Sequence, residues 1–293
     1  MKNLSCRKID IHTHLSLTQG DMTAERRIQV NKRLGIEKSV ILPVTDYMEV
    51  TRHPFRHGAM VDNSCACQIC LRYPEAFSWF CNICPDGTEK TYELLRRYKD
   101  QGARGVGEFA SQLYFDEPLM EHLFACCEEL KLPFLFHLSP EKNWGYGLVD
   151  HPGLPLLEKE LKKFPGLVFI GHSKVFWYEI AQGPKVPSSK LRNSCVAGKV
   201  KEGQLAGLFR EYPNLWGDLS ASGGGNALMR DEEYGLSFLE EFSDRLMFGT
   251  DILDEKDLSP LYRWLDENYK QNRIKESDYK NVCCGNAERL FFL

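Results

Sequence analysis

Short apolar runs alternate with longer amphipathic stretches along the whole chain. The runs Lys8–His12, Ser39–Val44, Phe77–Cys84, Ala103–Phe109, Pro133–His137, Leu167–Gly171, Leu215–Leu219 and Arg245–Gly249 are rich in β-branched and aromatic residues and bounded by glycine, proline or polar residues. That pattern predicts buried strands. Between them, Ala24–Leu34, Met60–Tyr73, Thr88–Gln101, Glu117–Lys131, Leu156–Lys163, Gly203–Tyr212, Leu236–Phe242 and Leu258–Tyr269 carry helical periodicity, and a closing helical segment surrounds Asn286–Leu290. Eight strands separated by helices, with no linker-like shift in composition, predict an α/β chain folded as one (β/α)8 TIM-like barrel over residues 1–293. A doubly wound open sheet is the competing arrangement, disfavoured because no G-x-G-x-x-G follows the first strand. The stretch 173–202, with Trp177, Pro184, Pro187 and Gly198, reads as a loop insertion. The run Ser220–Gly225 reads as a tight small-residue turn, since it lacks the Lys-Ser/Thr of a phosphate-binding loop.

In such a barrel the residues that end the strands converge at one mouth. The first strand ends His12-Thr13-His14, and two histidines two apart on an extended chain point the same way and can share one cation. Later strands end in Glu108, His137, His172 and Asp251. Asp10 is expected on the same face as the histidines, anchoring the mouth or holding a ligand rather than binding metal. Just beyond the same strand ends lie Ser111, Tyr114, Trp144, Lys174, Trp177 and Ser220, which offer aromatic walls, hydroxyls and one cation to a substrate. Lys174 is the candidate for a substrate carboxylate. The loop 45–58 carries Arg52, His53, Arg56 and His57, surface residues of which either arginine could meet an anion.

Composition changes the picture mainly by exclusion. The formal charge of −4 argues against a nucleic-acid partner. Met1–Arg7 has no apolar signal core and no apolar run approaches ~18 residues, so a cytoplasmic protein without membrane contact is expected. The chain has no repeat or coiled coil, which leaves monomer and homo-oligomer both open. Eleven cysteines are the one oddity. Cys65, Cys67, Cys70, Cys81 and Cys84 have spacings that would suit zinc or an iron–sulfur cluster on loops, but they fall on a predicted helix and strand and read as reduced core thiols, as do Cys126-Cys127 and Cys283-Cys284.

Asp10-x-His12-x-His14, Glu108, His137, Gly171-His172-Ser173, Gly249-Thr250-Asp251 and the final Asn286-Ala287-Glu288-Arg289-Leu290-Phe291 together resemble the amidohydrolase superfamily. The nearest branch is the amidohydrolase-related one, which also contains non-oxidative aromatic acid decarboxylases. The resemblance implies a divalent metal, zinc foremost with manganese or iron as alternatives, held by His12, His14, His137 and Asp251. Asp251 would also accept the proton of an attacking water, and His172 would orient or polarise the substrate or bind a second ion. Binuclear members commonly carry a carboxylated lysine at the fourth strand. Here Glu108 stands there, either between two ions or as a hydrogen-bond partner beside one. The expected function is metal-dependent hydrolysis of a small, carboxylate-bearing substrate. The alternatives are metal-dependent decarboxylation of an aromatic or related acid, and a metal-binding barrel without turnover.

Overall fold

The structure, a computed structural model, describes residues 7–18, 22–44 and 60–292. Arg52, His53, Arg56 and His57 lie outside the described residues. The strands are β1 (Lys8–Thr13), β2 (Ile36–Ile41), β3 (Phe77–Trp79), β4 (Val106–Phe109), β5 (Phe134–Ser139), β6 (Leu148–Val149), β7 (Phe169–His172), β8 (Leu215–Asp218) and β9 (Leu246–Met247). They run parallel in two arcs, β1-β2-β3 and β4-β5-β7-β8-β9, with the two-residue β6 beside β5. Backbone bonds join the arcs at both seams. Cys81 N–H donates to Gly105 O at 2.9 Å between β3 and β4, and Ile11 N–H donates to Phe248 O at 3.1 Å between β9 and β1. The sheet is therefore a closed barrel with helices outside, as the alternating pattern predicts.

Its two apolar layers follow from the period of two along each strand. Val40, Leu42, Phe80, Leu135, Ile170, Trp216 and Met247 share one cluster with Ile9, Ile11 and, from the C-terminal helix Asn286–Phe291, Ala287 and Phe291. This is the barrel interior, plugged at one end by that helix. The alternate residues, among them Phe134, Phe136, Phe169 and Leu215, pack outward against helix residues such as Phe124, Leu161 and Phe209.

β1 departs from simple alternation, and the departure sets up the mouth. Ile9 and Ile11 belong to the interior layer, so Asp10 faces outward and meets buried Arg27 on the helix Ala24–Leu34. Asp10 and the histidines were expected on one face, and the structure corrects this. The pairing with β2 is irregular between Asp10 and Thr13. Such an irregularity shifts the phase of the side chains, and His12 and His14 return to the mouth. Asp10 nonetheless anchors it, accepting from His12 N–H at 3.1 Å and from Thr250 N–H at 2.9 Å and O–H at 2.6 Å.

Two loop expectations change. Ala221–Met229 is a helix, not a turn. Its glycines are there for close packing: a Cβ on Gly224 would lie 2.4 Å from Leu219 C, and one on Gly225 2.3 Å from Ser259 Oγ. The stretch after β7 contains two short helices, Lys174–Tyr178 and Ser189–Arg192. The ten cysteines among the described residues are all free thiols, and Cys84 is exposed rather than packed in the core. Among the described residues no helix is long and apolar enough to cross a membrane.

Candidate metal centre

His12, His14, Glu108, His137, His172 and Asp251 do meet at the mouth. His12, His14, Glu108 and His172 are buried, whereas the Asp251 side chain is 24% exposed. Two backbone features aim Asp251. Its N–H donates to His12 O at 2.9 Å, and its φ of 51° turns the chain at the end of β9. Aspartate tolerates this left-handed conformation better than most residues. The preceding Gly249 cannot carry a side chain, because a Cβ there would sit 2.8 Å from Asp218 Oδ1 and 3.2 Å from His12 Cβ.

The hydrogen bonds of the imidazoles decide what the cluster can bind. His14 Nδ1 lies 2.9 Å from Leu42 O, a carbonyl that only accepts, so Nδ1 carries the hydrogen. His12 Nδ1 lies 2.6 Å from Asp218 Oδ2 and His172 Nδ1 lies 3.0 Å from the same oxygen. Asp218 also accepts from Ser220 N–H at 2.9 Å and O–H at 2.8 Å, the hydroxyl lying 3.1 Å from His172 Nδ1. With each Nδ1 donating, the neutral rings present bare Nε2 lone pairs to one another. Those of His12 and His14 are 3.1 Å apart. Two lone pairs at that distance repel unless a proton or a cation lies between them.

Carboxylate oxygens complete the set. Glu108 Oε2 lies 3.5 Å from His12 Nε2 and 3.2 Å from His14 Nε2, and Asp251 Oδ1 lies 3.4 and 3.5 Å from the same atoms. Ligands about 2.0–2.1 Å from a tetrahedral ion are roughly 3.3–3.4 Å apart. The donors fit a divalent cation by type and spacing, and His12, His14 and Asp251 form one group able to hold it. Glu108, His137 and His172 form another, with His137 Nδ1 2.5 Å from Glu108 Oε1.

The electrostatics describe a cluster in want of positive charge. Burial disfavours a charged His12, but Asp251 and then Asp218 outweigh it and hold its proton affinity well above the ordinary imidazole value. Burial likewise opposes ionisation of Glu108 and Asp218, yet His137, His12 and His14 hold Glu108, and His12 and His172 hold Asp218, below the ordinary carboxylate range. His137 goes the other way: burial lowers it and Glu108 only partly compensates.

Above the cluster opens a cavity of about 420 Å³, lined by His137, Trp144, Tyr146, His172, Lys174 and Asp251 among others. Tyr146 packs on His137, ring centroids 4.1 Å apart. Burial, then Glu108 and Asp251, raise its phenol well above the usual value. Of the proposed substrate contacts, Trp144 and Lys174 line this cavity. Trp177 does not: it is buried behind the wall, donates from Nε1 to Asp218 O at 2.8 Å and packs on Phe176 and Phe238. Tyr114 also lies off the cavity, under the Lys142 ammonium and beside His151, and Ser111 is buried away from it. Sequence reasoning missed Asp218 and Tyr146. Asp218 had a signal, an acid closing the apolar run Leu215-Trp216-Gly217, hidden because that run was extended to Leu219.

A closed parallel barrel with a histidine–carboxylate cluster at its mouth is a (β/α)8 barrel of the metal-site type. The chain belongs to the amidohydrolase family, whose model matches residues 9–293. No curated protein matches the sequence. Among solved structures, the chain is similar to 2,6-dihydroxybenzoate decarboxylase from Rhizobium, at 19% identity and a TM-score of 0.62 over 98% of each chain. It is also similar to 5-carboxyvanillate decarboxylase from Sphingomonas paucimobilis, at 15% identity and a TM-score of 0.62 over 98% of this chain and 99% of that one. A third is the dihydroxybenzoic acid decarboxylase from Polaromonas, which holds manganese and the inhibitor 2-nitroresorcinol. The likeness there is 20% identity and a TM-score of 0.57 over 92% of this chain and 86% of that one. At such identities the likeness carries the fold. It also corrects the expected hydrolase, because these neighbours are decarboxylases of aromatic acids and not hydrolases.

Proposed function

We propose that this protein is a metal-dependent, non-oxidative decarboxylase of a small aromatic acid. The observation that carries the reading is the pairing of bare imidazole nitrogens at the cavity floor with aromatic walls above them. Trp144 and Tyr146 offer faces for a ring, and Lys174, lining the same cavity, offers a cation to an anionic substituent. Similarity to the aromatic acid decarboxylases supports the same choice.

In this reaction the bond between ring carbon and carboxylate carbon breaks, and its electron pair stays on the ring carbon. A proton takes up that pair and carbon dioxide leaves. Asp251 is the residue to pass on the proton, taking it up from a substrate hydroxyl or from solvent in the cavity before handing it to the ring carbon. Its side chain is 24% exposed to the cavity, whereas those of Glu108 and Asp218 are at 5% and 0%. Asp218 and Ser220 fix the His172 ring, whose Nε2 lies 3.6 Å from Asp251 Oδ2. A divalent cation held by His12, His14 and Asp251, zinc by its donor set or manganese as in the Polaromonas enzyme, would supply a Lewis acid for the substrate's oxygens.

The test is carbon dioxide release from a panel of hydroxylated benzoic acids by metal-loaded protein. Turnover of at least one acid is expected, with Asp251→Asn slower by about 10²–10⁴-fold. A panel that gives no carbon dioxide, or an Asp251→Asn variant with full turnover, contradicts the reading.

A further inference from the structure

We infer that Arg192 is a positioning residue: it pins the segment 183–200 as a strap along the cavity, placing Asn193 and the Trp144–Tyr146 wall around the substrate ring. The inference rests on reading the cavity as the site of aromatic acid decarboxylation and concerns how the ring is held there.

The strap is closed at its base. Ala181 and Glu202 face each other in an antiparallel bridge, Gln182 N–H donates to Lys201 O at 2.7 Å, and Gly203 N–H donates to Ile180 O at 2.9 Å. Further out it joins two elements of the cavity lining. On one side Cys195 Sγ–H donates to Ser222 O at 3.4 Å and Asn226 Nδ2 donates to Val196 O at 3.0 Å, which ties the strap to the helix Ala221–Met229. On the other, Arg192 closes the short helix Ser189–Arg192 with its guanidinium buried, and its Nη1 donates to Pro140 O at 2.7 Å and to Asp150 O at 3.0 Å. Those carbonyls bracket the segment that carries Trp144 and Tyr146, so one nitrogen holds both ends of that wall. Asp150 is itself fixed, its carboxylate accepting from Leu156 and Leu157 N–H at 3.1 and 2.8 Å. Asn193 lies between the two attachments and lines the cavity with its side chain exposed.

The chemistry of the pin favours positioning over packing. Burying an arginine is costly unless its donors are paired. Here Nε lies 3.8 Å from Glu179 Oε1, beyond hydrogen-bond reach, and neither Nε nor Nη2 has a hydrogen-bond partner among the described residues. An apolar side chain would fill the space at lower cost, but it could not hold two carbonyls. What the guanidinium adds is a planar fork of fixed geometry, where lysine offers a mobile point charge.

Metal-loaded Arg192→Met, Arg192→Lys and Asn193→Ala test the pin by amide hydrogen exchange over 140–150 and 189–196, together with steady-state kinetics on hydroxylated benzoic acids. In Arg192→Met, exchange in both segments should quicken by about 10–100-fold, as expected when carbonyls lose a buried charged donor. Its KM should rise about tenfold while kcat stays within about threefold and metal content is unchanged. Arg192→Lys should recover part of both losses, and Asn193→Ala should raise KM with exchange unchanged. If circular dichroism shows that Arg192→Met does not fold, Arg192→Lys is read alone, its exchange and KM rising by smaller factors. Exchange as slow as in the unaltered protein overturns the inference, as does quickened exchange with KM unmoved or a fall in kcat alone. If the unaltered protein turns over no acid, the decarboxylase reading fails and exchange alone decides the pin.

Discussion

The two ends of the barrel use the same strands for opposite purposes. At the plugged end, Ile9, Ile11, Val40, Leu135 and Met247 share one apolar cluster with Phe80, whose ring meets Phe291 edge-on with centroids 5.1 Å apart. Every group there is satisfied by packing. A few residues further along, the same strands end in His12, His14, Glu108, His137, His172 and Asp251, which leave lone pairs facing inward. What separates the ends is how polarity is completed. One end is complete in itself, and the other is complete only with a cation. Loss at the plugged end should therefore cost stability, and loss at the mouth should cost metal.

The sharpest break in that contrast is the double variant His12→Ala/His14→Ala. It should lose bound metal and with it decarboxylation, measured by elemental analysis and carbon dioxide release, while a metal-loaded double variant would dissolve the distinction between the ends. Next in size is Phe80→Ala, which empties the plugged end. It should cost about 3–5 kcal/mol of unfolding free energy in a denaturant titration yet leave metal content unchanged. Asp218→Ala sits between the two behaviours. It frees the Nδ1 atoms of His12 and His14's neighbour His172 from their common acceptor, and metal affinity should fall about 10–100-fold.

Asp218 also shows where the sequence stopped being legible. Residues that end a strand were readable, because alternation and spacing place them at the mouth. Asp218 orients the histidines from within the wall, and nothing local in Leu215–Leu219 announces that it meets β1 and β7. Three consecutive glycines looked like a turn. They form a helix because packing against Leu219 and Ser259 leaves no room for side chains, a tertiary cause invisible in the run itself. The position of Trp177 after β7 suggests a cavity wall, but the helix Lys174–Tyr178 turns it into the core. The irregularity after Asp10 that returns His12 to the mouth, and the bonds from Arg27 and Thr250 that hold Asp10 outward, likewise involve partners distant in sequence.

Two smaller effects sharpen the contrast further. Glu160 is buried with neither carboxylate oxygen hydrogen-bonded. Burial, then Glu121, raises its proton affinity against Lys159 and Lys163. A carboxyl whose folded value is raised binds its proton more tightly when folded, so its contribution to stability falls as pH rises from the ordinary glutamate value through the folded one. Glu160→Gln should remove that slope, making the protein more stable at pH 7 by up to about 1 kcal/mol and no more stable below pH ~4. An unchanged pH profile of thermal unfolding would contradict this. Smallest is Trp144→Ala at the cavity rim, where the side chain is 39% exposed. It should alter stability by less than about 0.5 kcal/mol and raise KM more than it lowers kcat, as expected of a wall that binds substrate and transition state alike.

Metal-dependent decarboxylation is tested by carbon dioxide release from hydroxylated benzoic acids by one preparation in three states: as purified, stripped by a chelator, and reloaded with manganese. Turnover should disappear on stripping and return on reloading. Turnover that persists in the stripped protein, or none in the reloaded one, would contradict it.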